Sequence, residues 1–178
     1  MIRRWFCFLL AAALLSSGAL AQPLPDMNEM VRLHVVARDD SEAAQALKME
    51  IRAVCLRCAR VCMGDASGGD DAYMRLQNHL DDFRTACEMR MRELGCEDEI
   101  TVETGRFFFP DRWYGDMHVP RGEYRALRIT IGEGEGHNWW CVLYPTLCGI
   151  NEADAAGDEV PTYARVMNWL RAGLGGLK

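Results

Sequence analysis

Beyond its first residues the chain has no apolar run long enough to cross a bilayer, which takes about 20 residues of helix. Positive charge is in short supply: 20 Lys and Arg stand against 26 Asp and Glu, for a formal net charge of −6. A field of that sign repels phosphate backbones, which argues against nucleic acid as a partner. There is no internal repeat, which excludes a stacked-repeat array. The one glycine-rich turn has no Lys-Ser/Thr behind it and is followed by an aromatic run, not a helix. A phosphate cradle needs both features, and Glu133 and Glu135 inside the turn would repel its ligand. No small-molecule cofactor is implied.

What the chain does have begins at the N-terminus. Arg3 and Arg4 precede an apolar run from Trp5 to about Leu15, and Ala19-Leu20-Ala21 gives a small-x-small pattern ahead of Gln22. Residues 1–21 therefore read as a secretory signal peptide, with a retained membrane anchor as the alternative. Residues 22–29, with Pro23 and Pro25, read as a flexible leader, 30–150 as one α+β domain, and 151–178 as an acidic linker and short C-terminal helix.

Export opens the way to disulfides. Cys7 falls in the expected signal peptide, and the other seven of the eight cysteines are Cys55, Cys58, Cys62, Cys87, Cys96, Cys141 and Cys148. An odd number cannot all pair within one chain.

Val31 to Ala37 alternates apolar residues at Val31, Leu33 and Val35, the period of a strand, with His34 on the opposite side. Asp39-Asp40-Ser41 then supplies acceptors for the free N–H groups of a helix start. From Ser41 to about Cys62, the residues Leu47, Ile51, Val54, Cys55, Cys58, Val61 and Cys62 form one stripe. Cys55-x-x-Cys58-x-x-x-Cys62 thus reads as core thiols. A closed zinc site wants four ligands and a tight knuckle, which one continuous helix does not provide.

A second helix is predicted from about Asp71 to Leu94, through Tyr73, Leu76, Leu80, Phe83 and Cys87, with Gly95 as its stop. Ile100 to Thr104 alternates as a strand, with a bulge predicted at Gly105. Pro110 to Pro120 reads as an aromatic loop, and Leu127, Ile129 and Ile131 line one face of a third strand. The order β-α-α-β-β implies a two-layer α+β fold: a small, mainly antiparallel sheet with two packed antiparallel helices on one face.

The most informative stretch runs from Ile131 to Cys148. Gly132, Gly134 and Gly136 recur at every second position, and so much backbone freedom costs stability unless the fold needs it. Asn138, Trp139 and Trp140 follow, then Cys141 and Cys148 around Pro145. A Cys141–Cys148 disulfide would close a small loop, worth about 2–3 kcal/mol in the chain-entropy picture. In an extended run the two tryptophans point to opposite faces; either both belong to the core, or one fills it while the other reaches outward, where an aromatic can anchor an interface. Two chemical alternatives remain open. Cys141 with His137 or His118 as base, or the carboxylate of Glu133, would make an exported thiol or carboxylate hydrolase.

Several segments together resemble the stage II sporulation protein R family. They are Val31-Arg-Leu-His-Val-Val-Ala37, Asp40-Ser41, Gln45-Ala46-Leu47-Lys48 and Gly105-Arg-Phe-Phe-Phe-Pro110. Further along come Tyr114-Gly115, Pro120-x-Gly122-Glu123-Tyr124-x-Ala126-Leu127-Arg128, Ile131-Gly-Glu-Gly-x-Gly-x-Asn-Trp-Trp-Cys141 and Pro145-x-x-Cys148. The resemblance implies a secreted, non-enzymatic signalling protein, exported from the forespore into the space between two membranes. There it would trigger a membrane-embedded aspartyl protease that processes the precursor of a sporulation sigma factor. Arg38 and Asp39 depart from the family's usual Asn-Ser, Glu135 sits at a position often basic, and Thr146 replaces a frequent second proline.

Overall fold

A computed structural model describes residues 26–114 and 117–145. The expected signal peptide, Cys148, and the linker and helix expected at 151–178 lie outside these residues. Among the described residues no helix is long and apolar enough to cross a membrane.

The elements run β1 (Val31–Val36), α1 (Glu42–Met63), α2 (Gly69–Asn78), α3 (Leu80–Glu93), β2 (Ile100–Phe109), β3 (Arg112–Tyr114), β4 (Met117–Val119), β5 (Gly122–Ile131) and β6 (Asn138–Tyr144). Four strands form one sheet in the order β2-β5-β1-β6, and β3 and β4 pair separately as a small hairpin. The fold is α+β as expected. The sheet is mixed: β1 runs parallel to β5, while β6 on β1 and β2 on β5 are antiparallel. The three-helix segment between β1 and β2 gives the chain the length to place β1 parallel to β5.

The helix expected over 71–94 is two helices. His79 sits between them at φ −117°, ψ 17°, and its ring nitrogen Nδ1 contacts Asp82 Oδ2 at 2.7 Å. Main-chain bonds cover the break: His79 N–H bonds Leu76 O, and the Asp82 and Phe83 N–H groups bond His79 O. The stop at Gly95 is as read: at φ 71°, its N–H bonds Arg92 O and that of Cys96 bonds Met91 O. The pair is a Schellman closure. Ser41 caps α1, its Oγ accepting from the Ala44 N–H at 3.2 Å.

Val31, Leu33 and Val35 pack with Leu127, Ile129, Ile131, Cys141 and Leu143 against the helices in the larger core. The helical stripe holds with two exceptions: Val61 is exposed and Lys48 is buried. α1 and α3 are antiparallel, because Glu50 meets Arg90 while Cys55 meets Cys87 farther along. No bulge interrupts β2, where Gly105 pairs in register with Ala126. The glycine is there for a different reason: a Cβ would come within 3.0 Å of the Phe107 ring. The expected aromatic loop is the β3–β4 hairpin. With Met27 and Met30 it covers the face of the sheet away from the helices, around Phe109, Tyr124, Ala126 and Val142.

Candidate functional site

The glycine turn joins β5 to β6 and is fastened to the β1–α1 connection by main-chain bonds. Glu135 N–H donates to Arg38 O and Gly136 N–H to Ala37 O, each at 3.0 Å, and Gly132 N–H donates to Glu99 O at 2.8 Å. Gly132 and Gly134 hold φ of 56° and 69°, conformations that cost any other residue strain. Gly136 is required by proximity instead: a Cβ would stand 2.3 Å from the Asp39 carbonyl oxygen.

Side chains of α1 and its cap complete the clasp. Asp40 Oδ1 accepts from the His137 N–H at 2.6 Å and also meets His137 Nδ1. Those bonds hold the Asp40 carboxyl below its usual range. Lys48 Nζ donates to the His137 carbonyl at 3.0 Å, and burial lowers its pKa. Gln45 Nε2 donates to Asp39 O at 2.9 Å. Arg38 lays its stem along Gly132 and pairs with Asp98 at 2.8 Å. Asp39 accepts from the Ser41 N–H, and hydrogen bonds from Ser41 and Arg38 bring it down to about 2. Arg38 and Asp39, two of the positions that depart from the family pattern, are thus tied into this clasp.

β6 carries the tryptophans to opposite faces, as expected, and each is half-buried. Trp139 pairs with Val35 in register and packs on the helix side, with the Arg52 guanidinium 4.4 Å from its ring. Trp140 lies on the other face, stacked on His34 at 3.8 Å and edge-on to Phe109 at 4.8 Å. The division into one core and one outward tryptophan is replaced by two rings each partly covered. Asn138 is exposed, and its Oδ1 lies 2.7 Å from His34 Nε2. Glu133 and Glu135 are exposed, and Pro145 follows a cis peptide bond.

Phe109, which Trp140 meets edge-on, also covers a cation that strand alternation alone does not mark. Arg32 is fully buried. Its guanidinium carbon sits 4.1 Å from the Phe109 ring centre, 4.9 Å from Tyr124 and 5.8 Å from Tyr114. Nη2 donates to the Tyr114 hydroxyl at 2.6 Å and Nε to Cys141 O at 3.3 Å. Nη1 has no partner, and among the described residues no carboxylate pairs with this cation. Burial lowers its pKa. Desolvating an ion costs several kcal/mol, and the rings return about 0.5–2 kcal/mol each where desolvated. Burial also pushes the pKa of His34 beside it down, and its Nδ1 is unpartnered. The usable signal was the set of aromatics Phe109, Tyr114 and Tyr124, whose rings surround the guanidinium.

The residues of the hydrolase alternative are not brought together. Cys141 is fully buried in the helix-side core, while the side chain of His137 is 79% exposed and tied to Asp40. His118 meets Asp111 at 3.1 Å beside Trp113. Cys55 faces Cys87, and Cys62 turns back to the Ala59 carbonyl. Among the described residues no three His, Cys, Asp or Glu side chains are grouped to hold a metal ion.

The segments that carried the resemblance therefore converge. Asp40, Gln45 and Lys48 hold the glycine turn. Arg32, His34, Phe109, Tyr114, Tyr124 and Trp140 build the cage on the far face. The family model for stage II sporulation protein R matches residues 27–154, which spans both clusters. The chain belongs to this family. Stage II sporulation protein R of Bacillus subtilis (strain 168) is 34% identical over 127 residues, covering 71% of this chain and 57% of the relative. The chain thus spans little more than half the length of that curated relative. No solved structure matches the chain.

Proposed function

We propose that this member of the stage II sporulation protein R family is an exported signal that acts by binding. Its target is a membrane-embedded aspartyl protease on the extracytoplasmic side, which then processes the precursor of a sporulation sigma factor. The basic-apolar leader with its small-residue cleavage pattern supports export from the forespore into the space between the membranes. A Cys141–Cys148 disulfide would close the segment that follows the tryptophans.

One observation carries this reading. The glycine turn is braced by main-chain and side-chain bonds on every side that the β1–α1 connection offers, and it presents Glu133, Glu135 and Asn138 to solvent beside two half-covered tryptophans. Such a surface is preorganised, which lowers the entropic cost of docking. A binding signal activates only through different affinities for the active and inactive states of its target, so a rigid shape is what the role needs.

The test is sigma-factor processing in sporulating cells that carry Trp139→Ala or Trp140→Ala. Each variant is checked for its fold by circular dichroism. Loss of processing by a folded variant is the expected result. Normal processing by both would remove the tryptophans from the contact surface. Alkylation of the intact protein separates binding from thiol chemistry: a stoichiometric binder keeps its activity.

A further inference from the structure

Five cysteines in the described residues carry free thiols: Cys55, Cys58, Cys62, Cys87 and Cys96. Two of them meet across the helix pair. Cys55 Sγ on α1 and Cys87 Sγ on α3 lie 3.6 Å apart, with both residues fully buried. The other three are turned elsewhere or left at the margin. Cys62 Sγ faces its own helix at Ala59 O, 3.6 Å away, Cys96 Sγ faces Asp98 at 3.4 Å, and Cys58 is only partly buried. On the flank, Arg90 and Glu50 pair at 2.8 Å and fix how α1 and α3 lie on each other.

Bonded sulfurs stand about 2.05 Å apart, so a closure of about 1.5 Å would join two sulfurs that already face each other across the helix pair. We propose that Cys55 and Cys87 are the site of an interhelical disulfide, formed when the chain meets an oxidising compartment. The inference rests on the export proposed above. It also concerns the same surface, because α1 carries Gln45 and Lys48, which hold the glycine turn, and Arg52, which covers Trp139.

The oxidant is the disulfide of a thiol–disulfide exchange partner. The thiolate of one cysteine attacks a donor sulfur, forming a mixed disulfide and releasing the first donor thiolate. The second cysteine then attacks the protein sulfur of that mixed bond and releases the second donor thiolate. Two electrons pass to the donor, which ends as two thiols after taking up the protons lost by the cysteines. Because both side chains are buried once the helices pack, exchange occurs in the folding chain. Packing then shields the product from reductants.

The test uses the full chain, reduced in denaturant and refolded in a mixture of oxidised and reduced glutathione. Free thiols are then blocked with iodoacetamide in guanidinium and the digest is mapped by mass spectrometry. The same mapping is applied to the chain recovered from sporulating cells. The expected result in both samples is a linked Cys55–Cys87 peptide, with Cys58, Cys62 and Cys96 alkylated. Reduction with dithiothreitol in denaturant, followed by refolding with the reductant present, should lower the melting temperature by about 5–15 °C, by more than the same treatment lowers that of a folded Cys55→Ala/Cys87→Ala variant. Alkylation of both Cys55 and Cys87 after oxidative refolding would overturn the proposal, as would Cys87 linked to Cys58. A bond present on refolding but missing from cells would overturn it for the protein in place. Fractionation of the same cells shows separately whether the chain crossed the membrane.

Discussion

The glycine turn and the arginine cage flank the same strand, β6, yet they are held by opposite means. The turn depends on main chain meeting main chain, with glycines where a Cβ would strike Asp39 or Arg38. The cage depends on side chains: one cation among three aromatic rings, bonded to a hydroxyl and a carbonyl. A main-chain clasp cannot yield without separating two loops. A side-chain cage can be refilled. The comparison therefore predicts steep sensitivity to added atoms in the turn and tolerance of same-shape replacement in the cage.

The largest effect should come from Gly136→Ala, since the new Cβ meets a backbone oxygen at 2.3 Å. A loss of about 3 kcal/mol is expected by urea unfolding. A cost under about 0.5 kcal/mol would mean that the turn is not fastened to the β1–α1 connection. Next comes Arg32. Arg32→Ala empties the cage and should cost about 2–3 kcal/mol. Arg32→Met keeps most of the volume without the buried charge and should fall within about 1 kcal/mol of the parent. A heavy loss from the methionine variant would show that the charge itself holds the cage.

The tryptophans sharpen the same contrast on a smaller scale. Trp140→Ala removes a ring stacked on His34 at 3.8 Å and edge-on to Phe109 at 4.8 Å, while Trp139→Ala removes one guanidinium contact and packing at the margin of the helix-side core. The first should therefore destabilise more, by about 1 kcal/mol. Equal losses would erase the distinction between the two faces.

The smallest effect is the response to pH. Burial depresses His34 in the folded state, so the unfolded chain binds the proton more readily. Its contribution is whole above the unfolded pKa of about 6.5. It is lost as pH falls from there through the lower folded pKa, and His34→Gln should remove that part of the slope. Asp39 and Asp40 behave alike at more acid pH. Their folded pKa values are depressed, Asp39 to about 2, so their contribution holds above about 3.9 and fades below it. Urea midpoints measured from pH 3 to 8 would separate the two windows.

Much of the fold was legible because local chemistry and tertiary context agreed. The odd residues of β1, the Ser41 cap and the Gly95 stop each carry a short-range signal that the packed structure has no reason to override. The break at His79 was hidden, since the apolar spacing of Leu76, Leu80 and Phe83 continues across it. The parallel pairing of β1 with β5 was equally invisible, because alternation reports which face is buried and not which neighbour a strand takes. Within the site, the glycines and tryptophans announced themselves, but their partners did not. Arg32 looks solvated in a strand read alone, and Lys48 looks like an ordinary exposed helical lysine. Both are defined by residues far along the chain that meet them only after folding.

The central claim is that the braced turn and its tryptophans form a docking surface that makes and breaks no bonds. Its most direct test is sigma-factor processing in cells carrying Trp139→Ala together with Trp140→Ala, with the variant shown to be folded. The account predicts that processing stops while the protein accumulates normally. Processing at the parent level would contradict it.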